Sequence, residues 1–369
     1  MTQRIALLIH ALYGGGAERL MSNLAARWAQ SHEIHLVTWA KTETDTYPLP
    51  PNVIRHGLDK IAESTTPAHA LLANIDRVRS LRKTLRAIEP ALILSFSDQM
   101  NIVSLEASRP LQIPHWISEH SNPQHQNLGR IWEGWRRRSY PQCHGCTVLD
   151  QNIAQWMSRL VPADRLRIIP PSIDINAAEN AKNSEAKPSV LFVGRLSQEK
   201  RVDLILQAWK GLQTQFPEWE LQIVGEGPKR EELETQAAAL KRVTFHGWCD
   251  DPAHFYRQAS LFVLASDYEG FPVALLEAMS HGVACVSSRC AGAIDIFSAR
   301  DGLRPANGND AKDLAEQMAK LMESSELRQS TGANAKKLSQ EYTWDIIGPK
   351  WDAILTETLP SALPPASVS

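Results

Sequence analysis

Short apolar runs alternate along the chain with longer stretches in which apolar positions recur every three to four residues. "RIALLIH" predicts a buried strand; three glycines, Gly14 to Gly16, follow it. "AERLMSNLAARWAQS" then sets Leu20, Leu24 and Trp28 on one helical face. "EIHLVTW", "ALILSFS" and "PHWISEH" read as further strands, and "ANIDRVRSLRKTLRAIE" as a basic amphipathic helix stopped by Pro90. The pattern restarts with "PSVLFVGRLSQEKRVDLILQAWKGL", a strand, loop and helix. "WELQIVGEGPKREELETQAAAL" repeats it, and "VTFHGW", "LFVLASDYEGFPVALLEAMSHG" and "VACVSS" extend it. Strands alternating with helices predict a mostly parallel sheet covered on both faces, here twice over.

The two runs are separated by "PPSIDINAAENAKNSEAKPS", which has no apolar period and reads as a linker. The predicted organisation is an α/β domain over 1–175, a linker over 176–188 and a second α/β domain over 189–340. A last helix over 341–358 is predicted to break at Pro349 and to pack back towards the first domain. The Pro/Ser-rich stretch 359–369 is expected to be a disordered tail.

A chain of 369 residues accommodates two such domains, and 43% hydrophobic with 22% charged residues is an ordinary globular composition. The formal charge of −2 gives no nucleic-acid signature. It is unevenly spread, with 19 Lys and Arg against 14 Asp and Glu in residues 1–170, and 20 against 27 in the remainder. A mildly basic first half suits an anionic surface. No apolar run is long enough to span a membrane, and five cysteines without framework spacing point to a reducing cytoplasm. Cys143 and Cys146 form a lone C-x-x-C; without a second pair they read as two ordinary thiols rather than a zinc site.

In doubly wound domains ligands bind at the carboxyl ends of the strands, so the turns after strands are where chemistry is sought. The glycines at 14–16 serve either as a plain tight turn or as a place where a ligand meets the main chain at a helix start. They fit neither a P-loop nor a G-x-G-x-x-G pattern. In "LFVGRLSQEK", Gly194 ends a strand and Arg195 and Lys200 follow, a pair that suits phosphate or forms a solvated basic loop. "ASDYEGFPVALLEAMSHG" carries more information. Glu269 follows a strand, Pro272 suits a first helical turn, and Glu277 lies one to two turns further on. Eight residues of helix span at most roughly 12 Å. The amides of Val273 and Ala274 fall between the carboxylates, in the first turn. Carboxylate, anion site, carboxylate is the order of a nucleotide sugar: polyol, diphosphate, polyol.

With "GGGAE", "VGRLSQEK", "VGEGP", "EH" at Glu119-His120 and the E-x7-E of Glu269 and Glu277, the chain resembles glycosyltransferase family 4 over residues 3–358. The resemblance implies the GT-B fold, with two Rossmann-like doubly wound domains facing across a deep cleft, and transfer with retention of anomeric configuration. By that resemblance Gly15 and Gly16 approach the donor diphosphate or the transferred sugar. Arg195 and Lys200 bind the diphosphate, Glu277 holds the ribose and Glu269 the sugar hydroxyls. His120 reaches the sugar from the first domain, although as an isolated residue it reads equally as a core histidine. Gly194, Gly225, Glu226, Gly227, Gly247, Gly270 and Phe271 complete the donor set. Pro272 stands where the family commonly has glycine and donates no N–H, so a phosphate contact there must come from its neighbours.

No cofactor or metal is implied: no Asp-x-Asp pair is placed for Mg²⁺, and Arg and Lys can neutralise the diphosphate. The expected reaction moves a hexose or N-acetylhexosamine, from UDP in the first instance, to a lipid-linked glycan. The setting is lipopolysaccharide, capsule, exopolysaccharide or oligosaccharide assembly at the inner face of the cytoplasmic membrane. "RIWEGWRRRSY" supplies the expected membrane or acceptor patch, Arg130, Trp132, Trp135, Arg136, Arg137 and Arg138, or else a solvated helix. A soluble acceptor, a GT-B-shaped sugar-nucleotide epimerase and a non-enzymatic nucleotide-sugar-binding module are the competing readings.

Overall fold

A computed structural model describes residues 2–359, apart from 14, 62–66, 125, 127, 174–187, 289, 291–292, 294–295, 297–303 and 306–309. Gly14, nearly all of the expected linker and residues 360–369 of the expected tail therefore lie outside the described residues. The chain divides into two compact units, one of Met1–Pro171 with Ile347–Ser369, the other of Ser172–Ile346.

Among the described residues the first unit holds a seven-stranded, wholly parallel sheet. Its strands are β1 (Arg4–Ile9), β2 (Glu33–Thr38), β3 (Val53–Gly57), β4 (Leu92–Phe96), β5 (His115–Glu119), β6 (Gly145–Val148) and β7 (Leu166–Ile168), in the order β3-β2-β1-β4-β5-β6-β7. Strands β4 and β5 are buried at every position, and β1 at all but its first. Burial on both faces is why they read as continuous apolar runs rather than alternating ones. The edge strand β3 is only partly buried and its sequence carries no such run, so the apolar pattern does not announce it. Helices α1 (Gly16–Trp28), α2 (Pro67–Ile88), α3 (Asp98–Ser108), α4 (Arg130–Ser139) and α5 (Gln151–Met157) connect the strands.

The second unit has a six-stranded parallel sheet among its described residues, with strands β8 (Ser189–Val193), β9 (Glu220–Val224), β10 (Val243–Gly247), β11 (Leu261–Leu264), β12 (Ala284–Ser287) and β13 (Arg304–Pro305). The order is β10-β9-β8-β11-β12-β13. Its helices are α6 (Val202–Gln215), α7 (Arg230–Ala237), α8 (Ala253–Gln258), α9 (Val273–Ser280), α10 (Ala311–Glu323) and α11 (Ser325–Ser339). The starts of α10 and α11 are capped by the side chains of Asp310 and Ser324. Apolar clusters fill both faces of this sheet, one around Trp209, Ile223 and Met318, the other around Phe262, Leu276 and Met279.

The final helix, α12 (Trp344–Thr358), corrects one expectation: it runs through Pro349 instead of breaking there. Proline removes a single intrahelical bond. The stripe Ile347, Trp351, Ile354 and Leu355 is buried and holds the helix together across it. The helix is tied to α1 by Asp352, which accepts from Arg27 Nη2 at 2.6 Å and from Trp28 Nε1 at 3.1 Å.

Candidate functional site

In both sheets the strand order reverses beside the first strand, between β1 and β4 and between β8 and β11. A crevice opens at the carboxyl ends of strands where neighbouring connections leave in opposite directions. In the second unit the residues at that point come from the loops after β8 and β11. Lys200 Nζ lies 2.6 and 2.7 Å from the two carboxylate oxygens of Glu269. Ser266 Oγ donates to Glu269 Oε1 at 2.7 Å, and Ser266 is wholly buried. The two loops are fastened by the Asp267 amide to the Glu199 carbonyl at 2.9 Å and by Arg201 to Asp267 at 3.0 Å. Thus Lys200 and Glu269, which the resemblance assigns to diphosphate and sugar, sit on one another, while Arg195 is exposed and its charge acts on Glu199 of the same loop. The long separation along the chain hid the pairing; the supporting Ser266 was missed, and its one sequence signal is its place three residues before Glu269.

The start of α9 departs from expectation in one respect. Pro272 adopts φ −82°, ψ 77°, an inverse γ-turn, and the Val273 N–H closes it by donating to the Phe271 carbonyl at 3.0 Å. The Val273 amide is therefore engaged and does not present itself to an anion. The amides of Leu275 and Leu276 donate to the Pro272 carbonyl at 3.1 and 3.2 Å. Among the first-turn amides, that of Ala274 alone has no acceptor among the described residues. Glu277 is half-buried and accepts from the Tyr256 hydroxyl at 3.0 Å; burial, then the Glu277 charge, push the Tyr256 pKa well above its usual value. Tyr256 is a further residue the sequence pattern did not mark. Phe271 packs on the Tyr342 ring, with centroids 5.8 Å apart.

The glycines of the donor set stack strand-end loops on one another. A Cβ on Gly225, at φ +138°, would lie 1.9 Å from the Gly194 carbonyl oxygen, and one on Gly227 2.3 Å from that of Leu196. The amide of Gly194 donates to Val224, that of Gly225 to Gly247, and that of Leu196 to Glu226. The Gly194 and Gly225 N–H groups are thus engaged inside the stack, and the Glu226 carboxylate pairs with Arg230.

In the first unit Gly15 is the N-cap of α1 and Gly16 its first residue; both are exposed. The Glu18 carboxylate lies over Gly15, 2.3 Å from where a Cβ would stand, and burial raises its pKa. An anion meeting these amides thus meets a carboxylate first, which the glycine pattern did not foretell. His120 is half-buried, 4.4 Å from the Phe96 ring, with Nε2 2.9 Å from Ser118 Oγ. Burial lowers its pKa to about 3, so the imidazole is neutral near pH 7. On the other side of the strand end Glu119 is wholly buried and accepts from Tyr140 at 2.8 Å; burial raises its pKa to about 8.

Arg136 is the second correction. It was expected in an exposed basic patch, but it is fully buried, 3.3 Å from Glu133 and packed over the Tyr140 and Trp156 rings. The cause is helical phase. Arg136 shares the inward face of α4 with Ser139, whereas Arg130, Arg137 and Arg138 face outward and stay exposed. Trp132 and Trp135 are half-buried and stacked at 5.3 Å, and Ile131 is 80% exposed. Cys143 and Cys146 are buried free thiols, with the Cys143 pKa pushed up to about 12 by burial. Among the described residues no helix is long and apolar enough to cross a membrane, and no group of three or more His, Cys, Asp and Glu is placed to hold a metal.

Two parallel doubly wound units, each with a switch point beside its first strand, are the architecture of the GT-B fold. The family model "Glycosyl transferases group 1" matches residues 174–338 and "Glycosyltransferase Family 4" matches 14–177, so each unit is matched by a glycosyltransferase model and the chain is a family-4-like glycosyltransferase. It is 28% identical over 358 residues to the Campylobacter jejuni GalNAc-alpha-(1->4)-GalNAc-alpha-(1->3)-diNAcBac-PP-undecaprenol alpha-1,4-N-acetyl-D-galactosaminyltransferase, covering 96% of this chain and 98% of that one. Its fold is similar to sucrose-phosphate synthase of Thermosynechococcus elongatus, with a TM-score of 0.81 at 19% identity, covering 96% and 98% of the two chains. Anabaena HepE in complex with UDP-glucose gives a TM-score of 0.78 at 19% identity, covering 96% and 100%.

Proposed function

We propose that this glycosyltransferase moves a hexose or N-acetylhexosamine from a UDP-sugar to a hydroxyl of a lipid-linked glycan, with retention of configuration and without a metal. The observation that carries the reading is the Lys200–Glu269 pair at the β8/β11 switch point, with Arg195 exposed in the same loop as Lys200. An incoming diphosphate draws Lys200 away from Glu269, and the carboxylate so released accepts from sugar hydroxyls. Arg195, Lys200 and the Ala274 amide then stabilise charge growing on the departing diphosphate, which is where fixed donors accelerate transfer. Glu277 accepts from the ribose. The leaving phosphate oxygen takes the acceptor proton as the hydroxyl attacks from the same face. The β1/β4 crevice of the first unit, with Gly15, Gly16 and His120, is assigned to the sugar and acceptor. The Campylobacter relative, named for a glycan on diphospho-undecaprenol, supports the lipid-linked acceptor, and the UDP-glucose complex of the Anabaena protein supports the donor.

The exposed Arg130, Arg137 and Arg138, with Trp132, Trp135 and Ile131, are assigned to an anionic membrane surface. The experiment is a thermal-shift screen of UDP-, GDP- and ADP-sugars followed by transfer to a diphospho-undecaprenol-linked acceptor with EDTA present, the product anomer being read by NMR. Stabilisation by a UDP-sugar and an axial product from an axial donor are expected. No stabilisation by any nucleotide sugar rules the reading out, and activity lost to EDTA removes the metal-free part.

A further inference from the structure

We propose that the amino-terminal edge of the first unit's sheet carries a second binding site, for a small phosphate-bearing ligand. All pairings in this sheet are parallel, so the segments that enter β5, β6 and β7 gather at one edge, opposite the edge where the β1 and β4 loops emerge. They enclose a cavity of about 560 Å³, within the size range of small-molecule sites. Arg109, His144 and Arg165 line it, and among the described residues no Asp or Glu does.

The charge of the two arginines has no counterpart among the described residues. Elsewhere in this unit Arg27 pairs with Asp352, Arg55 with Asp45 and Arg167 with Glu357. Arg109 and Arg165 form no ion pair among the described residues, and the Arg165 guanidinium only donates to the Cys143 carbonyl at 3.4 Å. Two planar forks over one concavity suit a phosphate, and Leu105 and Ile113 offer an apolar wall for the rest of a ligand. The floor is built rather than loose. His115 is buried with Nδ1 2.7 Å from Ser108 Oγ and Nε2 3.0 Å from Ser95 Oγ, which fixes the ring. The Gln142 side chain is turned to the Arg138 carbonyl at 2.7 Å, which leaves the phosphate to the arginines.

The test is calorimetry with inorganic pyrophosphate on full-length protein carrying Arg195→Ala, which suppresses binding at the β8 loop. Binding is expected, and Arg109→Gln with Arg165→Gln should weaken it by about ten-fold per arginine, the value of a charge-assisted hydrogen bond. Both side chains are exposed, so the unfolding midpoint should not move and serves as the control for folding. Calorimetry with dihexanoyl-phosphatidylglycerol below its micellar concentration distinguishes the source of the phosphate. A lipid headgroup requires this short-chain lipid to bind the parent and not the double variant, and a free ligand requires that only pyrophosphate binds the parent and that this binding falls in the double variant. If the double variant matches its parent in both measurements, the proposal is overturned.

Discussion

At the scale of single residues the Lys200–Glu269 pair decides most. Lys200→Ala and Arg195→Ala are each expected to lower donor kcat/KM by at least about 100-fold, the usual effect of removing a donor aimed at developing negative charge. The two variants should differ in stability. Among the described residues Lys200→Ala leaves the buried Glu269 carboxylate with Ser266 as its remaining hydrogen-bond donor, whereas Arg195 is exposed and forms no ion pair there, so only the former should lower the unfolding midpoint. Equal midpoints would show that the pair is not formed in solution. Glu277→Gln should weaken binding of the free nucleoside diphosphate, while Glu269→Gln should leave that affinity nearly unchanged and depress transfer. Calorimetry with the nucleotide alone separates them, and equal losses would dissolve the division between ribose and sugar.

Glu119 gives a pH signature at the same scale. Its carboxyl titrates at about 8 in the folded chain, raised by burial from an ordinary 4.5. The folded state therefore holds a proton that the unfolded state has lost, and this contribution to stability declines as pH rises from about 4.5 to about 8. In Glu119→Gln, whose amide oxygen can still accept from Tyr140, that decline should vanish. Urea midpoints across this range provide the check, and parallel curves for the two proteins would contradict the assignment.

Among elements, the loops after β8, β9 and β10 behave as one stack because glycines let their backbones touch. Gly225→Ala should destabilise the second unit by about 2–4 kcal/mol, since the new methyl overlaps the Gly194 carbonyl and φ is positive. Gly211→Ala is the contrast: nothing lies within 4 Å of its Cβ position in the middle of α6, and a gain of about 1 kcal/mol is expected. Differential calorimetry of the two variants tests both signs. Helix α4 teaches the related lesson that a run of three arginines need not be a patch. Its turn sends Arg136 inward to Glu133 and two aromatic rings while Arg137 and Arg138 face out.

For the molecule as a whole, the basic excess of the first unit predicts salt-sensitive attachment to anionic membranes. Each exposed Arg near such a surface contributes about 1 kcal/mol. Arg130→Ser, Arg137→Ser and Arg138→Ser together should abolish flotation with anionic vesicles and leave donor hydrolysis intact. Arg136→Ser should instead unfold the first unit, because it empties a buried guanidinium site. Flotation that survives the triple change, or wild-type protein that never floats at low salt, would remove the membrane assignment.

Much of this was legible from local pattern. Buried parallel strands are apolar on both faces, amphipathic helices repeat every 3.6 residues, and turns after strands carry glycine, so the two α/β units and the E-x7-E segment could be read along the chain. What a linear reading could not supply was whatever depends on residues distant in sequence. Strand order places β8 beside β11 and so puts Lys200 on Glu269, 69 residues away. Helical phase against a particular core buries Arg136. The backbone at Pro272 engages the Val273 amide, and the fold of the first helical turn sets the Glu18 carboxylate over Gly15. The sequence alone determined which elements form and which residue types stand at their ends, because those follow from short-range sterics and the burial of apolar faces. Only the tertiary structure decided which charges meet and which amides stay open, because Coulomb and hydrogen-bond partners are fixed by distances of a few ångströms that the order of residues does not contain.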